Sequence, residues 1–367
     1  MRRDKVLRFL GIAFVVGAFL GLVSGLAFGG SAPDTGTPKL TAPVDRRSSG
    51  GSTNASGGTP STFSGPMTAE KAAAIGANEL GEVPVFLYHD IADEGGEDTR
   101  TPQDLAKDIE FLKSEGFYPV NLRDLAAGSI DIPAGTSPVV LTFDDSTSGE
   151  YRILDDGSLD PASAVGVLRA AEEAGGWASK ATFYPLIDVT SKQHELFGQP
   201  DRQQEKLRNL TDWGYEIGSH TVSNLNLKKA DPLDVKKELA ESQSTLEGLI
   251  GGDYRVTSLS VPSGEYPRDE SLLAGGIYDG KPYKYTSAVT LGDTVSLSPF
   301  STLFDAMHIP RVTVTGSNLR DAIANLKAHP ELRYISDGDP TTISAPRDLA
   351  EGLGEVKDDL GRPLLRY

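Results

Sequence analysis

The sequence contains no cysteine, which excludes disulfide bonds, thiolate zinc sites and a cysteine nucleophile. Because oxidising compartments permit disulfides without requiring them, this absence leaves export from the cell open. Histidine is also scarce, with five residues at positions 89, 194, 220, 308 and 329. Any imidazole chemistry must therefore use one of these side chains.

Positive charge is in short supply as well. The 367 residues include 35 Lys and Arg against 52 Asp and Glu, which gives a net charge of -17 without any basic stripe. Because binding to a phosphate backbone requires clustered positive charge, nucleic acid is excluded as a partner. The length allows one barrel-sized domain or two smaller ones.

The first residues have the pattern of a membrane anchor. Residues 1–8 form a basic stub and residues 9–28 include no charged side chain, a run long enough to cross a bilayer as one helix. The charge distribution predicts a cytoplasmic N-terminus and an extracytoplasmic remainder. The alternative is a signal peptide cleaved after residues 30–32, where the following Pro33 is unfavourable, and the protein would then be secreted.

The rest of the chain divides into three parts by composition. Residues 29–66 are mainly Gly, Ser, Thr and Pro and predict a flexible linker. Residues 67–336 alternate between strand and helix patterns, which predicts an α/β fold with a parallel sheet or barrel. Residues 337–367 are polar with little periodicity and are predicted to be a C-terminal tail. The predicted strands are 83–88, 118–121, 139–143, 181–186, 216–219, 259–261, 285–289 and 312–314. The predicted helices are 69–80, 102–116, 122–127, 161–175, 200–214, 232–250 and 319–328.

The stretch P-V-V-L-T-F-D-D at 138–145 is the most informative in the chain. A short apolar, β-branched run is typical of a strand buried on both faces. It ends in Asp144 and Asp145, and the carboxyl ends of parallel strands are where such folds place their chemistry. Taken alone, the acidic pair is equally consistent with a solvated turn that closes a core strand.

Three other predicted strand ends also collect polar groups. They are His89-Asp90, the segment containing His220 and Asn224, and the turn at 262–264. Because the carboxyl ends of parallel strands face one mouth, these groups can converge. Carboxylate, imidazole and amide oxygen together suit zinc or a similar divalent metal. Alternatively, His220 is a capped loop histidine and Asn224 a turn residue.

The order of these motifs resembles that of the polysaccharide deacetylases with a NodB-homology domain. Two further motifs resemble the branch that acts on cell-surface polymers, in which the motif order is circularly permuted. The resemblance extends from about 83 to 314 and implies an irregular (β/α) barrel with a divalent metal, usually zinc. The motifs of the family are T-F-D-D at 142–145, K-A-T-F-Y at 180–184, G-Y-E-I-G-S-H-T-V-S-N at 214–224 and V-P-S-G at 261–264, and those of the branch are L-Y-H-D-I at 87–91 and H-I-P-R-V at 308–312.

The resemblance implies a role for each matching residue. Asp144 would be the general base, Asp145 and His220 metal ligands, and His89 the general acid. Asn224 stands where the family has its third ligand, a histidine. A neutral amide oxygen in that place predicts weaker zinc binding.

Two more positions depart from the family pattern. Ser260 replaces an arginine that orients the base, and Arg311 is a candidate substitute, although a structural salt bridge is the alternative. Ser263 replaces a tyrosine, which removes an aromatic wall of the sugar site but keeps a backbone N–H as an oxyanion donor. Gly264 follows in the same turn and is a predicted substrate contact.

The sequence therefore predicts metal-dependent deacetylation of a cell-wall or exported polysaccharide. The alternative is a carbohydrate-binding or scaffolding protein that kept the fold and lost its metal, for which the departures at Asn224, Ser260 and Ser263 argue. A glycosidase that uses Asp144 and Asp145 as its acid pair is disfavoured, because neighbouring side chains on a strand point to opposite faces.

Overall fold

The computed structural model describes residues 65–96, 98–192 and 194–367. The predicted basic stub at 1–8, the predicted anchor at 9–28 and nearly all of the predicted linker lie outside these residues. Within the described part of the chain, no helix is both long enough and apolar enough to cross a membrane.

Helices and strands are interspersed along the described chain. The helices are α1 (Ala69–Ile75), α2 (Pro102–Ser114), α3 (Leu122–Ala126), α4 (Ala164–Glu173), α5 (Gln203–Asp212), α6 (Pro232–Ile250), α7 (Ser271–Ala274) and α8 (Asn318–Ala328). The strands are β1 (Val85–Tyr88), β2 (Asp90–Ile91), β3 (Thr99–Arg100), β4 (Phe117–Pro119), β5 (Ser137–Asp144), β6 (Thr182–Tyr184), β7 (Glu216–Ile217), β8 (Ser258–Ser260), β9 (Gly276–Tyr278), β10 (Lys281–Tyr283), β11 (Ser287–Val289), β12 (Val312–Thr313), β13 (Ile343–Ala345) and β14 (Leu364–Arg366).

The main sheet is parallel and has β5 near its centre. Its strand order is β12-β1-β5-β6-β7, and β4 pairs with the first residues of β5. The register places Tyr88 beside Phe143 and Asp144 beside Tyr184. Strand β5 is buried along its whole length, as its continuous apolar sequence predicts.

Single parallel bridges connect the two ends of this sheet through the pair β8 and β11. Ser219, just after β7, bridges to Leu259 in β8, and Val289 in β11 bridges to Ile309. Gly292 then bridges to Val312 in β12. The parallel strands therefore follow one another around an irregular barrel, which confirms the predicted α/β class with a parallel sheet.

Helix α2 shows how the local sequence specifies the elements that surround the barrel. The Thr101 side chain accepts a hydrogen bond from the Asp104 N–H, and Pro102 occupies the first turn, where its missing N–H costs nothing. Leu105, Ile109 and Leu112 repeat at helical spacing and are fully or nearly fully buried in the core.

The alternation of side chains along β5 separates the core from the site. Leu141 and Phe143 belong to the apolar cluster that includes the buried faces of α2 and α4, where Phe143 stacks on Tyr88 and Phe183 with ring centroids 5.2 and 4.9 Å apart. Thr142 and Asp144 point the other way, and both contact Arg311. This arrangement turns Asp144 towards the inside of the barrel.

The prediction of a polar tail at 337–367 is wrong. Strands β13 and β14 pair in parallel, and Ile343 and Ala345 are completely buried in the second apolar cluster of the domain. The buried Glu79 carboxylate accepts hydrogen bonds from the backbone of Ser344 and Asp337. The apolar residues here are short groups separated by Pro, Gly and Asp, so they produce no periodicity although they are packed.

Candidate active site

Asp144, at the end of β5, is held by a two-point ion pair. Arg311 Nη1 donates to Oδ1 and Nη2 donates to Oδ2, each at 2.8 Å. The Arg311 side chain is completely buried and Asp144 is 2% exposed. Such a paired geometry, with two parallel N–H···O bonds, fixes the plane of the carboxylate as well as its position.

Other polar groups complete the surroundings of this pair. The Ser260 hydroxyl donates to Asp144 Oδ2 at 2.8 Å and accepts from Arg311 Nη2 at 3.0 Å. Arg311 Nε donates to the Thr290 carbonyl at 3.1 Å, and Nη1 contacts the Thr142 hydroxyl at 3.2 Å. Burial alone would raise the pKa of Asp144, but the positive charge of Arg311 outweighs it and holds that pKa well below the usual range. Asp144 is therefore ionised.

His220 faces both carboxylates of the pair that ends β5. Its Nε2 lies 3.5 Å from Asp145 Oδ1 and 4.0 Å from Asp144 Oδ2, and its Nδ1 lies 2.9 Å from the Ser260 carbonyl oxygen. Burial opposes the charged imidazole, yet the negative charges of Asp144 and Asp145 raise the pKa of His220. The same carboxylates that attract a proton here would attract a metal cation.

The Ser260 carbonyl oxygen decides which tautomer of His220 is present. A carbonyl can only accept, so Nδ1 bears a proton and donates it. In the neutral ring, Nε2 is then an acceptor that faces the acceptor oxygens of Asp145. Two acceptors in this position require a proton or a cation between them, and a histidine that donates its other N–H to a carbonyl is the usual form of a metal ligand.

The backbone around the candidate site is unusual. Asp145, Thr221, Asn224 and Ser263 have φ values of 77°, 67°, 59° and 56°, in the left-handed region that non-glycine residues rarely adopt. Each of them lies directly after a barrel strand or in the loop that follows it. Strain of this kind costs about 1–3 kcal/mol per residue and is concentrated at functional sites.

Asn224 lies beside Asp145 but presents its nitrogen. Nδ2 donates to Asp145 Oδ1 at 3.4 Å, so the amide oxygen and nitrogen would have to exchange places for Asn224 to become a ligand. Across residues 65–96, 98–192 and 194–367, no set of three or more His, Asp or Glu side chains is placed to hold a metal ion. Asp145 and His220 nevertheless fit a divalent cation as carboxylate and imidazole donors, with Asn224 as a weaker third donor.

His89 and the turn after β8 border the same end of the barrel. His89 directly follows β1, whose last residue Tyr88 pairs with Phe143, and it is among the groups that lower the pKa of Asp144. In the turn Pro262–Gly264, the Gly264 N–H already donates to the Val261 carbonyl. Within the described chain, the Ser263 N–H has no hydrogen-bond partner, so Ser263 rather than Gly264 has a free backbone donor.

Sequence reasoning missed the residues of α6 that support the His220 loop. Glu238 accepts from the backbone N–H groups of Val222 and Ser223 at 2.8 and 2.9 Å, and the Ser242 hydroxyl lies 2.8 Å from that of Ser219. Ser242 occupies the heptad-spaced buried stripe of this helix. A polar residue in an apolar stripe was the available signal for a supporting contact.

The structure thus brings together most of the residues that the sequence singled out. Asp144, Asp145, His220 and Asn224 contact one another through their side chains, and Ser260 and Arg311 join them. The predicted contact of Arg311 with the candidate base is present. The chemical roles of these residues, including that of His89, stay predictions.

Comparison with known proteins finds similarity to one family. Residues 131–274 match the family model for polysaccharide deacetylase, a range that includes β5 to α7 but neither His89 nor Arg311. The chain is 22% identical over 210 residues to the Bacillus subtilis (strain 168) protein YxkH, provisionally named a polysaccharide deacetylase. This match covers 56% of the chain and 64% of YxkH, slightly less than two thirds of that relative.

Solved structures show the same fold at low identity. A polysaccharide deacetylase from Bacillus cereus is 19% identical with a TM-score of 0.50, covering 66% of this chain and 69% of its own. A Bacillus anthracis protein, provisionally given the same name, is 20% identical with a TM-score of 0.50 and the same coverage. The fold and the family-model match agree, so this domain is similar to the polysaccharide deacetylases over residues 131–274.

Proposed function

We propose that this protein removes acetyl groups hydrolytically from a cell-wall or exported polysaccharide, using a divalent metal, with zinc as the first candidate. The observation that supports this most directly is the pair of opposed acceptors, His220 Nε2 and Asp145 Oδ1, 3.5 Å apart beside an ionised Asp144. The two carboxylates that face this nitrogen favour a positive charge between them, which a divalent cation would supply.

In this proposal, Asp145 and His220 hold the cation, and Asn224 assists them. A metal bound there would polarise the acetyl carbonyl and lower the pKa of a bound water to about 7. Asp144 is the proton acceptor, and because Arg311 holds it ionised it stays available at every pH near neutrality. A strongly lowered pKa makes Asp144 a weak base. It could therefore accept a proton only from a water whose own pKa the metal has lowered.

The remaining steps use residues that follow the barrel strands β1 and β8. The Ser263 N–H is directed to the oxygen that becomes negative during attack, where one well-placed donor contributes about 3 kcal/mol. His89 in its protonated form gives a proton to the departing sugar amine or alcohol. Each group acts on a different atom of the acetyl linkage.

The test compares Asp145→Ala with Asp144→Asn. We measure zinc stoichiometry, and acetate release from acetylated chito-oligosaccharide and acetylated xylan, for the folded fraction of each protein. Asp145→Ala should lose both metal and activity, whereas Asp144→Asn should keep the metal and lose activity. Equal metal loss in both variants would contradict the division of roles between the two carboxylates.

A second candidate is a carbohydrate-binding protein without catalytic activity on the same fold. The observation in its favour is the donor set itself, in which an amide nitrogen faces Asp145 and two protein ligands stand without a third histidine or carboxylate among the described residues. Acetate release by the wild-type chain at saturating zinc, abolished in Asp145→Ala, would exclude it. Binding of either polymer without any release would favour it.

We also propose that residues 9–28 anchor this domain at the outer face of the cell membrane. The support is the uncharged run of membrane-spanning length behind a basic stub. The test is fractionation of cells that express the full chain or a chain lacking residues 2–28, with protease added to intact cells. Recovery of the full chain in the soluble external fraction would favour signal cleavage instead.

A further inference from the structure

The C-terminal segment lines an open cavity that has no residue in common with the candidate active site. Its volume is about 630 Å³, and its walls come from residues 347–356, which follow β13, and from β14. This segment lies beyond residues 131–274, the range that matches the family model. The lining residues are Arg347, Leu349, Ala350, Gly352, Gly354, Glu355, Val356, Leu364 and Arg366.

Two arginines of this cavity lack an acidic partner. Among the described residues, neither Arg347 nor Arg366 forms an ion pair, whereas the guanidinium groups of Arg100, Arg169 and Arg311 do. Arg366 Nη1 donates to the Pro346 carbonyl at 2.6 Å, and the Arg347 side chain is exposed. Most of the donor groups of both side chains are therefore left for another acceptor.

The charge of the cavity is opposite to that of the protein. The whole chain has a net charge of -17, so positive charge without compensation is scarce on it. In the cavity, two arginines against Glu355 leave one net positive charge. A guanidinium group matches a planar oxyanion through paired hydrogen bonds, so a singly charged carboxylate is the ligand that this lining would recognise.

The apolar part of the lining indicates what the carboxylate is attached to. Leu349, Val356 and Leu364 contribute apolar surface, and Leu364 is 37% exposed although it is a large apolar residue. The faces of a sugar ring present C–H groups that can pack on such surface. A carboxylated sugar therefore matches both the charged and the apolar parts of the lining.

We propose that this cavity is a second polysaccharide-binding site, which takes the carboxylate and the adjoining ring of an acidic sugar unit. It would hold the domain on an acidic polymer independently of the hydrolytic site. The inference does not depend on deacetylase activity, because it concerns binding alone.

The test is calorimetric binding by the full chain and by the double variant Arg347→Gln/Arg366→Gln. The probe is a tetrasaccharide of galacturonic acid, with a neutral N-acetylglucosamine tetrasaccharide beside it. Losing both charge-assisted contacts should weaken uronate binding by about tenfold or more and leave binding of the neutral probe unchanged. Binding of the uronate to the wild-type chain should also weaken as salt is added.

A matched control removes the same charge elsewhere. Arg255 and Arg268 are exposed and lie outside the cavity, so Arg255→Gln/Arg268→Gln should bind uronate like the wild-type chain. Equal weakening in both double variants would show a general charge effect and would overturn the proposal. The same holds for an absence of uronate binding to the wild-type chain.

Two further measurements keep the result interpretable. If the double variant is less folded, as thermal melting would show, Arg347→Gln alone replaces it, because no described residue forms a hydrogen bond with that side chain. Poly(glycerol phosphate) is titrated as a competing polyanion. If it binds at the two arginines and the uronate does not, the assignment to a carboxylated sugar is wrong.

Discussion

The pair formed by Asp144 and Arg311 determines the charge state of the candidate site. A buried carboxylate without a partner would be neutral at pH 7, because burial disfavours its charged form. Arg311 reverses this effect with two hydrogen bonds at 2.8 Å. Breaking a buried pair of this kind by removing one partner costs about 3–5 kcal/mol.

Arg311→Lys should lower kcat more than it raises KM. Lysine keeps the charge but cannot make the two parallel bonds that fix the plane of the Asp144 carboxylate. We expect kcat to fall about tenfold or more, and the free energy of unfolding to fall by about 1–3 kcal/mol. Steady-state kinetics and urea denaturation measure the two effects.

Arg320→Lys is the matched control for that change. The Arg320 guanidinium is about half exposed and lies 3.9 Å from Asp108, outside the site. Its replacement should alter neither kcat nor stability appreciably, because lysine keeps the positive charge and the buried Asp108 carboxylate is held more closely by Arg100, at 2.7 Å. A similar loss of kcat in both variants would contradict the positioning role of Arg311.

Asn224→His should tighten zinc binding by about tenfold or more, given the effect that even indirect partners have on metal affinity. The left-handed backbone at Asn224, with φ of 59°, is a region in which histidine is also found more often than most residues. Zinc titration of the two proteins measures the effect, and Asn226→His, two residues further in the same loop, controls for an added histidine. Unchanged affinity would place the metal away from Asn224.

Single residues of the site were predictable to different degrees. Asp144, Asp145 and His220 follow strands, so their convergence could be predicted from the strand pattern. Ser260 was identified as a departure, but its hydroxyl contact with both Asp144 and Arg311 depends on the tertiary placement of β8. Glu238 could not be assigned to the site, because its contacts with the His220 loop arise only when α6 packs there.

At the scale of elements, β7 depends on a close approach that only glycine allows. A Cβ at Gly218 would overlap the Tyr184 ring on β6 and the Ser258 hydroxyl on β8. Gly218 is two residues before His220, so the contacts of its backbone with Tyr184 and Ser258 help to position the imidazole. The strand can fit between β6 and β8 only while this position has no side chain.

Gly218→Ala should therefore destabilise the fold by about 1–3 kcal/mol, the usual cost of overpacking a core. Gly248→Ala is the control, because Gly248 lies in α6 and a Cβ there meets nothing within 4 Å. That change should increase the free energy of unfolding by about 0.5–1 kcal/mol, since alanine favours the helix. Urea denaturation of both variants distinguishes the outcomes, and equal effects would contradict the role of Gly218.

The elements themselves followed from the sequence where apolar residues were periodic or continuous. Strand β5 was predicted at 139–143 and extends over Ser137–Asp144, and α6 was predicted with its observed bounds. The hairpin of β9 and β10 and the pair β13 and β14 were missed. Their strands are three residues long, too short to display a period, and are fixed by contacts with distant parts of the chain.

At the scale of the whole molecule, Glu79 joins the start of the domain to its last strands. Its carboxylate accepts hydrogen bonds from the Tyr334 hydroxyl and the Ser344 N–H at 3.3 and 2.8 Å. Burial, with a smaller contribution from the negative charge of Asp337, raises the pKa of Glu79 to about 8. The folded protein therefore retains a proton that the unfolded chain releases near its ordinary pKa of 4.5.

The sign of the resulting pH dependence follows from linkage. Below the unfolded pKa both states are protonated and Glu79 contributes no pH dependence. Between that value and about 8, the unfolded state loses its proton first, so stability falls as pH rises. Above about 8 both states are ionised and the loss, on the order of a few kcal/mol, is complete.

Glu79→Gln should consequently flatten the pH profile of stability. Relative to the wild-type chain, the variant should gain stability at alkaline pH and little or none near pH 5, measured by urea denaturation across the range. The exposed Glu351 provides the control, because Glu351→Gln should shift the whole curve uniformly or not at all. A stability difference for Glu79→Gln that is independent of pH would contradict the raised pKa.

The placement of Arg311 on the chain has a consequence for biosynthesis. Asp144 and Arg311 are 167 residues apart, and Arg311 directly precedes the strand that completes the barrel beside β1. Since a chain emerges from the ribosome with its N-terminus first, the carboxylate is made long before its partner. A nascent domain that ends before Arg311 cannot keep Asp144 both buried and ionised, so the candidate active site is completed only after nearly the whole domain has been synthesised.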